Sequence, residues 1–109
     1  MTADQKSKCE RIYNYYGAEK QRRQLVEECA ELIQAITKLG RAADTQDSAK
    51  IYEATLCLRE EIADVEIMLE QIKNAPSVRG KGGKYQDIIT YKLNRQLERI
   101  AKEKAEWEN

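Results

Sequence analysis

Residues 51–72 read IYEATLCLREEIADVEIMLEQI and carry an apolar side chain at every seventh position, namely Ile51, Leu58, Val65 and Ile72. A spacing of seven is close to two helical turns, so these side chains share one face of a predicted helix. An upstream series with the same spacing, Leu25, Leu32 and Leu39, predicts a second long helix. No segment alternates apolar and polar residues for long enough to predict a strand. The sequence therefore predicts an all-α fold.

Helix start and stop signals divide the chain into four predicted helices. The first covers about residues 4–16 and ends at Gly17, and the second covers about residues 18–39 and ends at Gly40. The third covers about residues 49–74, with Asp47 or Ser48 as its N-cap, and ends before Pro76. The fourth covers about residues 85–106, after a glycine-rich loop. The short polar connection between the second and third helices predicts that they are antiparallel neighbours.

The size and composition of the chain predict one domain, residues 1–109, with a thin core. Charged residues make up 35% of the chain and aromatic residues 6%, which suits long solvated helices. A core of this kind favours helices from two subunits sharing one apolar seam. We therefore expect a bundle of about four helices that is completed by oligomerisation.

Charge and hydropathy exclude several classes of function. The formal net charge is zero, so the chain has no overall attraction for nucleic acid or an anionic membrane. No window approaches the roughly 20 apolar residues of a membrane span, and the N-terminus lacks a secretory signal pattern. The three cysteines are an odd number without a C-x-x-C pair. A cytoplasmic protein is the expectation.

Two acidic motifs interrupt the apolar seam in nearly the same letters, LVEECAEL at 25–32 and LREEIADV at 58–65. The spacing of three puts Glu28 and Glu31 on one helical face, and it does the same for Glu61 and Asp64. Both pairs are in phase with the leucine seam. If the two helices pack antiparallel, the four carboxylates face each other near the middle of the bundle.

Four facing carboxylates need a compensating charge, because two unit charges about 4 Å apart repel by about 4 kcal/mol at an effective dielectric of about 20. Protonation or a bound divalent cation would relieve this repulsion. The chain has no histidine and no cysteine cluster, which disfavours zinc, and it lacks the E-x-x-H element of di-iron proteins. An all-oxygen site suits Mg²⁺ or Mn²⁺, and magnesium shares its coordination shell with substrate phosphates. The alternative is a non-catalytic helical interaction module, in which seam acids specify register or partner.

Basic residues in the C-terminal third of the chain are the candidate phosphate ligands. Lys92, Arg95 and Arg99 form a cationic stripe at spacings of three and four, and arginine offers a two-donor fork to phosphate oxygens. The alternative is a helix stabilised by ion pairs such as Arg99–Glu103, although Arg95 has no acid four residues away on either side. Four weaker candidates for nucleotide contacts are Gln21 and Gln24, which share the face of Glu28, and the loop residues Lys81 and Lys84. Solvated glutamines and a plain flexible connection are the alternatives for these.

The order E-x-x-E, E-x-x-D and K-x-x-R resembles the MazG-like all-α nucleoside triphosphate pyrophosphohydrolases, over about residues 17–99. The resemblance implies Mg²⁺-dependent hydrolysis of a nucleoside triphosphate to the monophosphate and pyrophosphate by a homodimer or homotetramer. It implies catalytic and metal-binding roles for Glu28, Glu31, Glu61 and Asp64, and phosphate binding by Lys92 and Arg95. Related all-α enzymes of the dimeric dUTPase and phosphoribosyl-ATP pyrophosphohydrolase types are alternatives. Nucleic acid is not an expected partner.

Overall fold

The computed structural model describes residues 1–80 and 85–108, and these residues form five α-helices and no strand. In chain order the helices are α1 (Ala3–Tyr16), α2 (Ala18–Thr45), α3 (Ser48–Lys73), α4 (Pro76–Arg79) and α5 (Tyr85–Glu108). The all-α prediction is confirmed. Two compact units divide the chain, Met1–Val78 with α1, α2 and α3, and Arg79–Asn109 with α5. The expectation of one domain stays a prediction.

Helix α1 begins at a capping box and ends at a glycine. The Thr2 hydroxyl accepts a hydrogen bond from the Gln5 backbone N–H at 3.1 Å, and the Gln5 side chain accepts one from the Thr2 N–H at 2.8 Å. Gly17 has φ +90° and ψ 163°, a conformation that side chains strongly disfavour. Its N–H donates to the Tyr13 carbonyl and its own carbonyl accepts from Gln21 N–H. Gly17 therefore ends α1, as predicted, and also begins α2.

The predicted end of the second helix at Gly40 is wrong, because α2 continues to Thr45. One interior glycine costs about 1 kcal/mol relative to alanine, which is too little to stop a helix that is packed against a partner. Ala42, in the added turn, is buried. The helix ends instead at Gln46, which has φ 57°. Asp47 then caps α3 by accepting hydrogen bonds from two backbone N–H groups of its first turn, so the predicted Asp47 cap is confirmed.

The two-residue connection of Gln46 and Asp47 makes α2 and α3 an antiparallel hairpin. Residues equally distant from Gln46 lie opposite one another along it. Gln21 and Gln71 are each 25 residues from Gln46. Their buried side chains are joined by a hydrogen bond of 2.8 Å from the Gln21 amide N–H to the Gln71 carbonyl oxygen. The turn thus determines the register of the two longest helices.

The core of the first unit is small. Its buried apolar residues are Cys9, Ala35, Ala42, Val65, Met68 and Ala75. Over residues 1–80 and 85–108, no large side chain is completely buried, and α5 contains no buried residue. No helix in these ranges combines the length and apolar character needed to cross a bilayer.

The segment after α3 differs from the predicted loop. Helix α3 ends at Lys73, and Pro76 opens the short helix α4. Proline favours the first position of a helix because its missing N–H would have no partner there. Residues 77–79, which were predicted to be loop, are therefore helical. The predicted ligands Lys81 and Lys84 lie outside the described residues.

Replacing Gly17 and Gly40 by alanine should have opposite effects on stability. A methyl group at Gly40 meets no atom within 4 Å, and we expect Gly40→Ala to raise the free energy of unfolding by about 0.5–1 kcal/mol. Gly17→Ala should lower it by about 1–3 kcal/mol because of its positive φ. Urea denaturation measures both. Changes of the same sign in the two variants would contradict this description of the helix ends.

Candidate metal centre

The α2–α3 hairpin brings the two acidic motifs together. One carboxylate oxygen from each of Glu28, Glu31, Glu61 and Asp64 lies within 4.8 Å of the other three. The register explains this proximity, since Glu28 and Asp64 are each 18 residues from Gln46, and Glu31 and Glu61 are each 15. The prediction that the four carboxylates face each other is confirmed. We call these four side chains the acidic cluster.

The members of the acidic cluster differ in their surroundings. Glu28 and Glu61 are partly buried, whereas Glu31 and Asp64 are exposed. Oε2 of Glu28 and Oε2 of Glu61 are both buried and have no hydrogen-bond partner in the described part of the chain. A buried polar atom without a partner costs free energy, and native structures pair nearly all such atoms. A ligand or a water could therefore pair with these two oxygens.

Glu28 is oriented by its neighbour one turn earlier. The Gln24 side-chain N–H donates to Oε1 of Glu28 at 2.8 Å. This bond satisfies one carboxylate oxygen and leaves the buried Oε2 available to a ligand. Gln24 therefore touches the acidic cluster through Glu28, and its contact with a nucleotide stays a prediction.

No side-chain cation neutralises the acidic cluster within residues 1–80 and 85–108. The ion pairs in these ranges are Asp4–Lys8, Glu19–Arg23 and Glu70–Lys73. At the 4.8 Å limit, two carboxylates repel by about 3.5 kcal/mol at an effective dielectric of about 20. Solvent screening reduces this repulsion for the two exposed members and less for Glu28 and Glu61. The acidic cluster therefore carries negative charge that no side-chain ion pair in these ranges offsets.

The donor set fits a hard divalent ion. All four donors are carboxylate oxygens, and the chain contains no histidine. Oxygen ligands on opposite sides of one Mg²⁺ are about 4.2 Å apart, because each Mg–O bond is about 2.1 Å. The four carboxylate oxygens lie within 4.8 Å of one another, which is slightly more than this distance between Mg²⁺ ligands. Small side-chain rotations can remove the difference. These residues can therefore hold Mg²⁺ or Mn²⁺.

The predicted phosphate ligands lie on α5. Lys92 and Arg99 are exposed, and Arg95 is partly buried with its guanidinium carbon 5.6 Å from the centre of the Tyr91 ring. Nε of Arg95 is buried and has no hydrogen-bond partner in the part of the chain that the structure describes. The ion pair Arg99–Glu103, considered as an alternative role, does not form there either. The three cations are thus unpaired on their own helix.

Gln21 has a packing role that is not among its predicted roles. Its side chain is 4% exposed and is bonded to Gln71. A buried amide that already donates to Gln71 is poorly placed to contact a base or sugar. The heptad spacing could have indicated the pair, because Gln21 is seven residues before Glu28 and Gln71 is seven after Asp64.

Known proteins do not assign this site. The chain matches no protein-family model, no curated protein and no solved structure. The interpretation of the acidic cluster therefore depends on its own geometry and donor chemistry.

Proposed function

We propose that this protein is a Mg²⁺-dependent nucleoside triphosphate pyrophosphohydrolase. It would convert a nucleoside or deoxynucleoside triphosphate and water into the monophosphate and pyrophosphate. The observation that carries the proposal is the acidic cluster, with four carboxylate oxygens within 4.8 Å and two buried oxygens without partners. The order of its motifs supports membership of the MazG-like family as part of the same proposal.

In this proposal Glu28, Glu31, Glu61 and Asp64 hold Mg²⁺, with Mn²⁺ as a substitute. When bound, the ion would neutralise phosphate charge and lower the pKa of a water molecule that it holds. Glu28 is held in position by the Gln24 amide. Glu31 and Asp64 are exposed, so they can meet a substrate arriving from solvent. One of the four carboxylates accepts the proton of the water that attacks the α-phosphorus.

Lys92, Arg95 and Arg99 are proposed to bind the β- and γ-phosphates and to stabilise the leaving pyrophosphate. The strongest support for this role comes from Arg95, because its buried Nε–H group has no hydrogen-bond partner among the described residues. The proposed substrate is a free nucleotide in the cytoplasm, and the proposal includes no nucleic-acid or membrane partner.

A nucleotide panel with separate detection of monophosphate, pyrophosphate and inorganic phosphate tests the reaction. We expect equal amounts of monophosphate and pyrophosphate with Mg²⁺. In ¹⁸O-labelled water the label should enter the monophosphate, because the attack is on the α-phosphorus. Release of inorganic phosphate, or label in pyrophosphate, would contradict this reaction.

The same panel separates the alternatives. Turnover restricted to dUTP or to phosphoribosyl-ATP would assign the chain to one of the two related enzyme types. Absence of turnover with every nucleotide, in a protein that still binds Mg²⁺, would favour the non-catalytic module.

A further inference from the structure

A lysine of α2 shares the exposed face of the acidic cluster. Glu31 is one of the two exposed members of the cluster. Successive helical residues are rotated by about 100° and rise by about 1.5 Å, so Lys38 lies about 20° from Glu31 around the axis and about 10.5 Å along it. Lys38 is also exposed. The two side chains therefore belong to the same solvent-facing side of α2.

Within the hairpin, residues 18–73, Lys38 is the one cation with this placement. The structure describes the whole of this range. Each other lysine or arginine in it is more than two turns from the cluster members of its own helix, or is rotated from them by at least about 120°. The cations of α5 belong to the other compact unit. Lys38 is thus the cation that the hairpin itself supplies beside the acidic cluster.

Lys38 has no ion-pair partner within residues 1–80 and 85–108. At the positions three and four residues away on α2, the one charged residue is Arg41, which has the same sign. Glu53 is one residue from the position that the hairpin register places opposite Lys38, and the two do not pair. Lys20, by contrast, has its ammonium 4.7 Å from the centre of the Tyr16 ring. The ammonium of Lys38 is therefore available to an anion from solution.

The separation between Lys38 and the acidic cluster suits one phosphate group. The level midway between Glu28 and Glu31 is about 13 Å from Lys38 along the helix axis. Helical side chains lean toward the N-terminus of their helix, so a lysine at position 38 reaches about 6 Å back toward the cluster. About 7 Å then remains. A phosphate that accepts from an ammonium at about 2.8 Å and binds a metal ion at about 2.1 Å spans about this distance.

Charge balance favours a cation at this place. Four ionised carboxylates around one Mg²⁺ have a net charge of about −2, and a triphosphate brings about −4 more. Positive charge beside the cluster reduces the repulsion that an arriving phosphate meets. We infer that Lys38 binds a phosphate group of the substrate next to the acidic cluster. This inference rests on the proposed function and adds a phosphate ligand on the hairpin to the cations of α5.

Calorimetric titration with Mn²⁺ and inorganic pyrophosphate tests Lys38 without requiring turnover. Pyrophosphate should bind to the wild-type chain that is saturated with Mn²⁺. Lys38→Gln should raise the pyrophosphate dissociation constant at least about tenfold, because a charge-assisted hydrogen bond is lost. Lys38→Arg keeps the charge and should stay within about threefold of the wild type.

The affinity for Mn²⁺ alone separates a phosphate contact from a structural role. Lys38→Gln should bind Mn²⁺ at least as tightly as the wild type, since the variant removes a cation that repels the metal ion. A variant with a damaged fold would lose both affinities. Lys20→Gln is the matched control, because it makes the same change on the same helix at a lysine that contacts Tyr16. It should leave both dissociation constants within about twofold.

Pyrophosphate binding that is unchanged in Lys38→Gln would overturn the inference. An equal loss in Lys20→Gln would also do so, because it would indicate a general charge effect. Loss of Mn²⁺ affinity in Lys38→Gln would give Lys38 a structural role instead. A wild-type chain that binds Mn²⁺ without pyrophosphate would likewise contradict the proposed phosphate contact.

The same titrations distinguish this inference from the proposed function. A wild-type chain that binds no Mn²⁺ refutes the metal site, and the role of Lys38 fails with it. A chain that binds Mn²⁺, and binds pyrophosphate through Lys38, but hydrolyses no nucleotide refutes the enzymatic proposal alone. The phosphate contact of Lys38 would then remain.

Discussion

Glu28→Gln and Glu61→Gln are each expected to reduce nucleotide turnover by at least about a thousandfold, which corresponds to about 4 kcal/mol of transition-state stabilisation. These are the two carboxylates with a buried, unpaired Oε2. Glutamine keeps the shape of the side chain and removes its charge, and an amide nitrogen does not coordinate Mg²⁺. The rate of pyrophosphate release at saturating Mg²⁺ measures the effect.

The neighbouring glutamates provide matched controls for these two variants. Glu27 and Glu60 are exposed, and each immediately precedes one of the tested residues. Glu27→Gln and Glu60→Gln remove the same charge from the same helical turns, and they should retain turnover within about twofold. Circular dichroism should show unchanged helix content in all four variants. Full activity in both Glu28→Gln and Glu61→Gln would refute the proposed role of the acidic cluster.

Mg²⁺ should reverse the order of stability between the wild-type chain and Glu61→Gln. Without metal, the variant should be more stable by about 1 kcal/mol, because one of four mutually repelling charges is gone. The new amide can also donate to a neighbouring carboxylate. With Mg²⁺ at about 100 times its dissociation constant, the wild type should gain about 2.7 kcal/mol, or about 10 °C in melting temperature. The variant should gain much less.

Thermal denaturation in EDTA and in Mg²⁺ or Mn²⁺ measures this crossover. The Glu60→Gln variant should follow the wild type in both conditions, since Glu60 is outside the acidic cluster. If neither metal changes the melting temperature of the wild type, the proposed metal site is refuted and the non-catalytic module is favoured. With that result, a loss of activity in Glu28→Gln or Glu61→Gln would have a cause other than lost metal binding.

The sequence alone predicts the helical periods and the acidic motifs, because both depend only on the spacing of residues along the chain. Ile51, Leu58, Val65 and Ile72 predicted the long helix α3, and the placement of Glu28 and Glu31 one turn apart follows from residue number alone. The end of α1 at Gly17 is predictable from the sequence, because the conformation that ends the helix there is a property of one residue. The predicted helix end at Gly40 is wrong, since a helix continues through a glycine when packing of the following turn offsets the local cost.

The register of the hairpin, by contrast, is a tertiary property. The connection between α2 and α3 consists of Gln46 and Asp47. Its short length determines which residues of α2 face which residues of α3. That register pairs Gln21 with Gln71, brings the four carboxylates within 4.8 Å, and buries Oε2 of Glu28 and Glu61. Sequence spacing determines which side chains share a helical face, but burial and charge proximity depend on the distance between two helices, which only their packing defines.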